Sequence, residues 1–302
     1  MLDSALQKRY VILLKYQEQL STTQYLFKLS ELLAQEISLI QRQVMTDKFN
    51  AEKLLDAEGM LVQSSGLAVL NLARLNEIQT LLGLPLDSAE TVLDSSGGNW
   101  LISFEAITGR LADMTEVSQT APKITDQRLK VEMTQAKNEL IKTEQQIGVN
   151  LLRFTYKDNK NDETAFQFGI NIPLGTQFNR AESQYQLQKA QAQLDHSIVK
   201  VQQSLDEIKK EISWLAGEKK LANLQIQRVQ KHLKNEALKA TPSLLINLRK
   251  QLVEQHKKST EIKQKALRQY ISYLSLSGQL TEQPLRNWIH TGEPELVPGK
   301  VN

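Results

Sequence analysis

From Leu187 to Leu215 the apolar residues Leu187, Leu194, Ile198, Val201, Leu205, Ile208, Ile212 and Leu215 recur at steps of seven, four, three, four, three, four and three. An α-helix turns once every ~3.6 residues, so a repeat averaging ~3.5 keeps these side chains on one seam only when two helices coil around each other. The seam therefore demands a second long helix as a partner. Composition agrees: aromatic residues make up only 6% of the 302 residues, while Gln, Leu, Lys, Glu and Ala recur throughout. Such a chain packs long helices along narrow apolar seams rather than around a rounded core.

Partners for that helix are legible elsewhere. Leu26, Leu29, Leu33, Ile37, Ile40 and Val44 hold one face of a helix predicted over 2–44. A break follows at 45–50, where Asp47 is suited to cap the next helix by accepting its free backbone N–H groups. That second helix runs over 49–82 and stops at Gly83, with Pro85 beyond it, because glycine tolerates the left-handed conformation that ends helices. Residues 84–121 read as a connector with one short helix near 102–112 and a flexible Ser-Ser-Gly-Gly at 95–98. Pro122 opens a third long helix to about Gln146, with Leu129, Met133, Ala136 and Leu140 as its stripe. The heptad helix continues to about Ala237, Thr241-Pro242 turns the chain, and a final long helix ends at Gly278. Helix, turn, helix and glycine thus occur twice, which reads as an internal repeat of two helical hairpins. The domains follow: a first-repeat hairpin over 1–83, a connector over 84–121, a second repeat over 122–280 and an irregular tail over 281–302.

Inside the second repeat the periodicity changes. Residues 149–156 and 166–172 alternate as strands around the polar loop Lys-Asp-Asn-Lys-Asn-Asp-Glu-Thr, so a β-hairpin is predicted over 149–173. Its second strand places Phe166, Phe168, Ile170 and Ile172 on one face and Gln167, Gly169 and Asn171 on the other. Two environments suit that pattern. One is a half-buried strand lying on helices; the other is a membrane-spanning strand with lipid on the apolar face and a watery lumen on the polar one.

Chemistry is harder to find. His196, His232, His256 and His290 lack metal-ligand spacing, and no phosphate-binding loop, dinucleotide fingerprint or nucleophile elbow occurs. With no cysteine, disulfides and thiolate metal sites are excluded. A net charge of +3 does not indicate a nucleic-acid partner, since the basic residues of the last third alternate with Glu236, Glu254 and Glu261 at helical spacing. No stretch reaches the ~18 apolar residues of a spanning helix, so any membrane contact falls to strands. Neither an enzyme nor a cofactor is expected.

The order of these pieces resembles the outer-membrane efflux protein family, the TolC-like channels. An alternating strand, then Pro173 and Leu174, then Arg180, then an Ala/Gln-rich helix with Ala190, Ala192 and Leu194 matches the family's second hairpin returning to its long helix. The segment from Ala121 to Leu151 resembles the opening of the second repeat, with Ala-Pro in place of the usual Asn-Pro, and the stretch from Leu72 to Pro85 resembles the close of the first. The resemblance implies a mainly α fold: a TolC-like α-barrel protomer of long antiparallel coiled-coil hairpins, with one β-hairpin contributed to an outer-membrane β-barrel. It implies a homotrimer acting as a passive exit duct of a tripartite efflux or type I secretion system, in the outer membrane and periplasm of a Gram-negative bacterium. Its implied partners are a periplasmic adaptor, an inner-membrane transporter and outer-membrane lipid. The implied periplasmic tips, Val44, Met45, Thr46 and Asp47 at one turn and Lys239, Ala240, Thr241 and Pro242 at the other, would meet the adaptor.

The family carries two strand hairpins per protomer and this sequence has one, without a signal peptide or a lipid-acceptor cysteine, so a truncated or shortened member is expected. A second class of function remains open on residues alone: a soluble coiled-coil scaffold or periplasmic adaptor that clamps partner helices without forming a pore.

Overall fold

The computed structural model describes residues 2–44, 46, 49–86, 88, 91–92, 101–114, 121–146, 152–159, 163–170, 176–235 and 241–290; for 144–146, the two strands and 176–179 it describes the backbone alone. In chain order the elements are α1 (Leu2–Gln41), α2 (Ala51–Leu82), α3 (Phe104–Asp113), α4 (Pro122–Gln146), β1 (Leu152–Asn159), β2 (Glu163–Ile170), α5 (Thr176–Leu233), α6 (Pro242–Ser277) and α7 (Gln279–Glu282). The chain divides into two units, one of residues 1–116 with 205–302 and the other of 117–204.

The first unit is a row of antiparallel helices. Around the turn, Ile37 and Ile40 of α1 pack with Ala57 of α2, and at the far end Leu20 packs with Leu75 and Val92. Between them Ser30 and Ser64 share a hydrogen bond of 2.9 Å, possible because both residues are small enough to let the backbones approach. On its other side α1 meets α6, where Gln264 Nε2 donates to Ser21 Oγ at 2.9 Å and Lys257 Nζ lies 4.4 Å from the Tyr25 ring centre. Helix α6 in turn meets α5: Ser259 Oγ lies 3.4 Å from Asn223 Oδ1, and Lys209 Nζ lies over the Tyr273 ring. The resulting order is α2, α1, α6, α5.

Helix ends follow local chemistry with one correction. Asn50, not Asp47, caps α2: in an extended conformation its Oδ1 accepts from Lys53 N–H at 2.9 Å. Asp47 itself lies outside the described residues. At the far end Gly83 sits at φ 67° and Leu84 N–H returns to Gln79 O at 2.9 Å, closing the helix with bonds only a left-handed residue permits. Gly278 ends α6 in the same way, at φ 85°.

Along α5 the seam runs on as expected, while one further expectation changes, at the end of the chain. The seam on α5 is buried from Val201 through Leu215 and continues through Ala222, Ile226 and Val229. The region after 281 is not irregular throughout: α7 is followed by a tucked segment in which Trp288 and Ile289 are 1% and 0% exposed. Tyr10 Oη donates to Arg286 O at 2.9 Å and accepts from Trp288 N–H at 3.2 Å. Arg110 Nη1 donates to Trp288 O at 3.0 Å, and Ile102 N–H to Ile289 O at 2.8 Å. Burying an indole is worth several methylenes, enough to order a segment without periodicity.

Within the second unit the ladder reaches farther into the predicted loop than expected, and 149–151 and 171–173 lie outside the described residues. Lys157 pairs with Ala165, Asp158 with Thr164 and Asn159 with Glu163, so five of the eight loop residues belong to the ladder. Backbone pairing proceeds whatever the side chains' charge, as long as both strands stay in register. The register sets Leu152 opposite Ile170, Phe154 opposite Phe168 and Tyr156 opposite Phe166. Ile172 and Asn171 lie outside the described residues. On α4 the predicted stripe is reversed: Leu129, Met133, Ala136 and Leu140 are exposed, Met133 at 73%, whereas Asn138 is buried and accepts from Ser183 Oγ at 3.1 Å. A buried amide satisfied by a hydroxyl holds that face in place, and the apolar face is left open.

Candidate functional site

Residues at the predicted tips are only partly within the described structure. Val44 and Thr46 are exposed in the turn after α1, and Thr241 and Pro242 are exposed at the start of α6. Met45, Asp47, Lys239 and Ala240 lie outside the described residues. Pro242 begins α6 because its fixed φ suits the first helical position and its missing N–H costs nothing there. Beside it, Leu39 of α1, Arg42 of the turn that follows, and Leu245, Ile246 and Arg249 of α6 line an open groove.

Sequence reasoning missed what braces these tips. Glu36, buried near the end of α1, pairs through Oε2 with Lys250 of α6, and its Oε1 lies 3.6 Å from Lys53 Nζ of α2. One carboxylate thus joins three helices within two turns of the tip. Glu36 sits beside the seam residues Leu33, Ile37 and Ile40, where a lone acid signals nothing about partners distant in sequence. Farther along the same interface, Arg268 pairs with Glu18.

Between α1 and α6 lies a mixed pocket lined by Tyr25, Lys28, His256, Lys257 and Glu261 among others. Burial lowers the pKa of His256, and the charge on Lys28 lowers it further. Burial raises Tyr25, with Glu254 and Glu261 adding to the shift. At the start of α3, burial lowers both Lys219 and Lys263; Glu105 opposes this at both, and the two ammonium groups repel each other at Lys263. Glu105 is lowered chiefly by its own backbone N–H; burial opposes this, and Ser103, Lys219 and Lys263 each add a smaller lowering. These are charges anchoring helix ends: Lys263 Nζ donates to Leu101 O at 3.4 Å before α3, and Lys209 Nζ to Met114 O at 2.7 Å after it. Among the described residues no cluster of His, Asp or Glu could hold a metal ion, and no helix is long and apolar enough to cross a membrane.

On the predicted seam, Val201, Leu205, Ile208, Ile212 and Leu215 are buried, Leu187 and Leu194 are half-buried, and Ile198 is 38% exposed. Of the strand residues, Phe166, Gln167, Phe168, Gly169 and Ile170 all lie on β2 and pair with β1. The geometry offers long helical walls, an open tip and a strand pair.

No family model and no curated protein matches the sequence. Solved structures do match its fold. CusC, in structures that address its folding and transmembrane channel formation, superposes with a TM-score of 0.60 at 12% identity, over 89% of this chain and 75% of CusC. The outer membrane protein VceC from Vibrio cholerae gives 0.55 at 10% identity, over 91% of this chain and 72% of VceC. The open state of the MtrE outer membrane channel of Neisseria gonorrhoeae gives 0.52 at 12% identity, over 92% and 68%. The fold is that of the TolC-like outer-membrane channels. At these identities the likeness establishes the fold and leaves the activity to be argued.

Proposed function

We propose that this chain is the outer-membrane channel component of a tripartite efflux or type I secretion system, a passive duct built from several copies, three by analogy with the family. The observation that carries this reading is the match of about nine-tenths of the chain to outer-membrane channel folds. In this reading Phe166, Phe168, Ile170 and Ile172 meet outer-membrane lipid, and Gln167, Gly169 and Asn171 face the lumen. The tips at 44–47 and 239–242 meet a periplasmic adaptor that couples the duct to an inner-membrane transporter. No reaction is catalysed; the protein lowers a barrier by replacing lipid with water.

The experiment is separation of inner and outer membranes from cells making the protein, followed by conductance of the purified protein in planar bilayers. Recovery with the outer membrane and discrete conductance steps support the duct. Recovery in the soluble fraction, with no conductance, supports the soluble scaffold instead.

A further inference from the structure

Helix α6 buries Ile246 and then no residue until Ile262, although farther on it buries Leu267, Tyr270 and Tyr273. Over residues 247–261 it makes about four turns beside α1 without contributing to the core. The two helices part there around an open pocket of about 430 Å³. Small-molecule sites span about 300–1,000 Å³, so the space suits a compact ligand. Braces flank it on both sides: Lys250 with Glu36 toward the tip, and Gln264 with Ser21 and Arg268 with Glu18 away from it. Its lining divides by chemistry. Leu252, Val253 and Tyr25, all half-buried, make an apolar side, while Lys28, His256 and Thr22 make a polar one.

The charges on this lining select the sign of an occupant. Glu18 is taken by Arg268, and Glu261 by Lys257 at 3.7 Å, whose Nζ also lies 4.4 Å from the Tyr25 ring centre. Glu254 acts on Tyr25 from outside the lining. Among the described residues Lys28 has no carboxylate partner, and the His256 ring and the Thr22 and Tyr25 hydroxyls make no hydrogen bond. The charge on Lys28 opposes protonation of His256, so the two groups lie near each other with no carboxylate between them. We propose that this pocket binds a small organic anion, whose carboxylate accepts from Lys28 Nζ and the His256 ring and whose apolar body covers Leu252, Val253 and Tyr25. A cation would meet Lys28 and find both lining carboxylates already paired. A neutral body would leave the ammonium without a partner, whereas an anion offsets it through a charge-assisted hydrogen bond. The site goes beyond the duct reading, because every residue belongs to one chain and no neighbouring copy is needed to complete it. Its occupant joins α1 of the first repeat to α6 of the second.

Calorimetric titration of the purified full chain tests this, with naphthoate as the probe, naphthamide as the same body without charge, and acetate as the charge without the body. Naphthoate should bind saturably at one per chain and about tenfold or more tighter than either control. Lys28→Met should weaken it by about tenfold or more, with the helical content unchanged because Lys28 is exposed and unpaired. Val253→Trp, which fills the opening, should abolish saturable binding. Affinity should rise as pH falls from about 8 to about 5.5 in the unaltered protein and not in His256→Gln, because protonated His256 adds a second cation. Equal affinity for naphthamide would mean an uncharged apolar cleft, and equal affinity for acetate a surface ion contact. Heat unchanged by Lys28→Met would mean uptake by detergent alone. Each of these results, or no saturable binding at millimolar naphthoate, would overturn the proposal and leave the duct reading untouched.

Discussion

Replacing Glu36 by Gln removes the charge that two lysines share at the tip. Lys250 is mostly enclosed at that contact and Lys53 is largely solvated, so the two arms differ in worth. An exposed pair contributes about 0–1 kcal/mol, which bounds the Lys53 arm at about 0.5 kcal/mol. Breaking a fully buried pair costs about 3–5 kcal/mol, and the partial exposure of Lys250 reduces this to about 1–2 kcal/mol for its arm. A double-mutant cycle of Glu36→Gln with Lys250→Met, followed by urea denaturation under far-UV circular dichroism, should therefore return a coupling of about 1–2 kcal/mol that shrinks in high salt. The same cycle with Lys53→Met should return about 0.5 kcal/mol or less. Couplings below about 0.3 kcal/mol for both pairs would refute the idea that this carboxylate braces three helices.

Further outcomes are expected at other sites. Trp288→Ala should cost about 3–5 kcal/mol, and Tyr10→Phe, which removes both hydrogen bonds to the tucked segment, about 1–2 kcal/mol; limited proteolysis after α7 should accelerate in that order. Gly83→Ala should destabilise by about 1 kcal/mol in thermal denaturation, entirely from the left-handed backbone, because a Cβ there meets nothing within 4 Å. His256 has a lowered pKa in the folded state, so the unfolded chain binds its proton more readily. Its contribution to stability is complete above the ordinary histidine range and is lost as pH falls through that range toward the folded-state pKa. His256→Gln should flatten this acid limb of the melting temperature, and Lys28→Met should move it to lower stability loss.

What could be read from sequence depended on whether local chemistry or distant partners decided the outcome. Gly83, Gly278, Pro122 and Pro242 act through their own backbone, and the helices end or begin beside them. The step from Val201 to Leu215 is a repeat long enough to name its own partner type. By contrast, Leu129, Met133 and Leu140 look like an inward stripe, yet the Asn138–Ser183 pair holds the opposite face inward. Periodicity reports that a helix has an apolar face, not which neighbour covers it. Asn50 displaced Asp47 as the cap because both are competent and only the turn's path chooses between them. Glu36 and the buried Trp288 depend on residues more than two hundred positions away, beyond any local pattern.

The most direct test of the account is the mass of the purified protein, by native mass spectrometry or light scattering, with and without mild detergent. The account predicts a closed assembly of several copies, three by analogy with the family, that requires detergent to stay in solution. A monomer that stays soluble without detergent would contradict it.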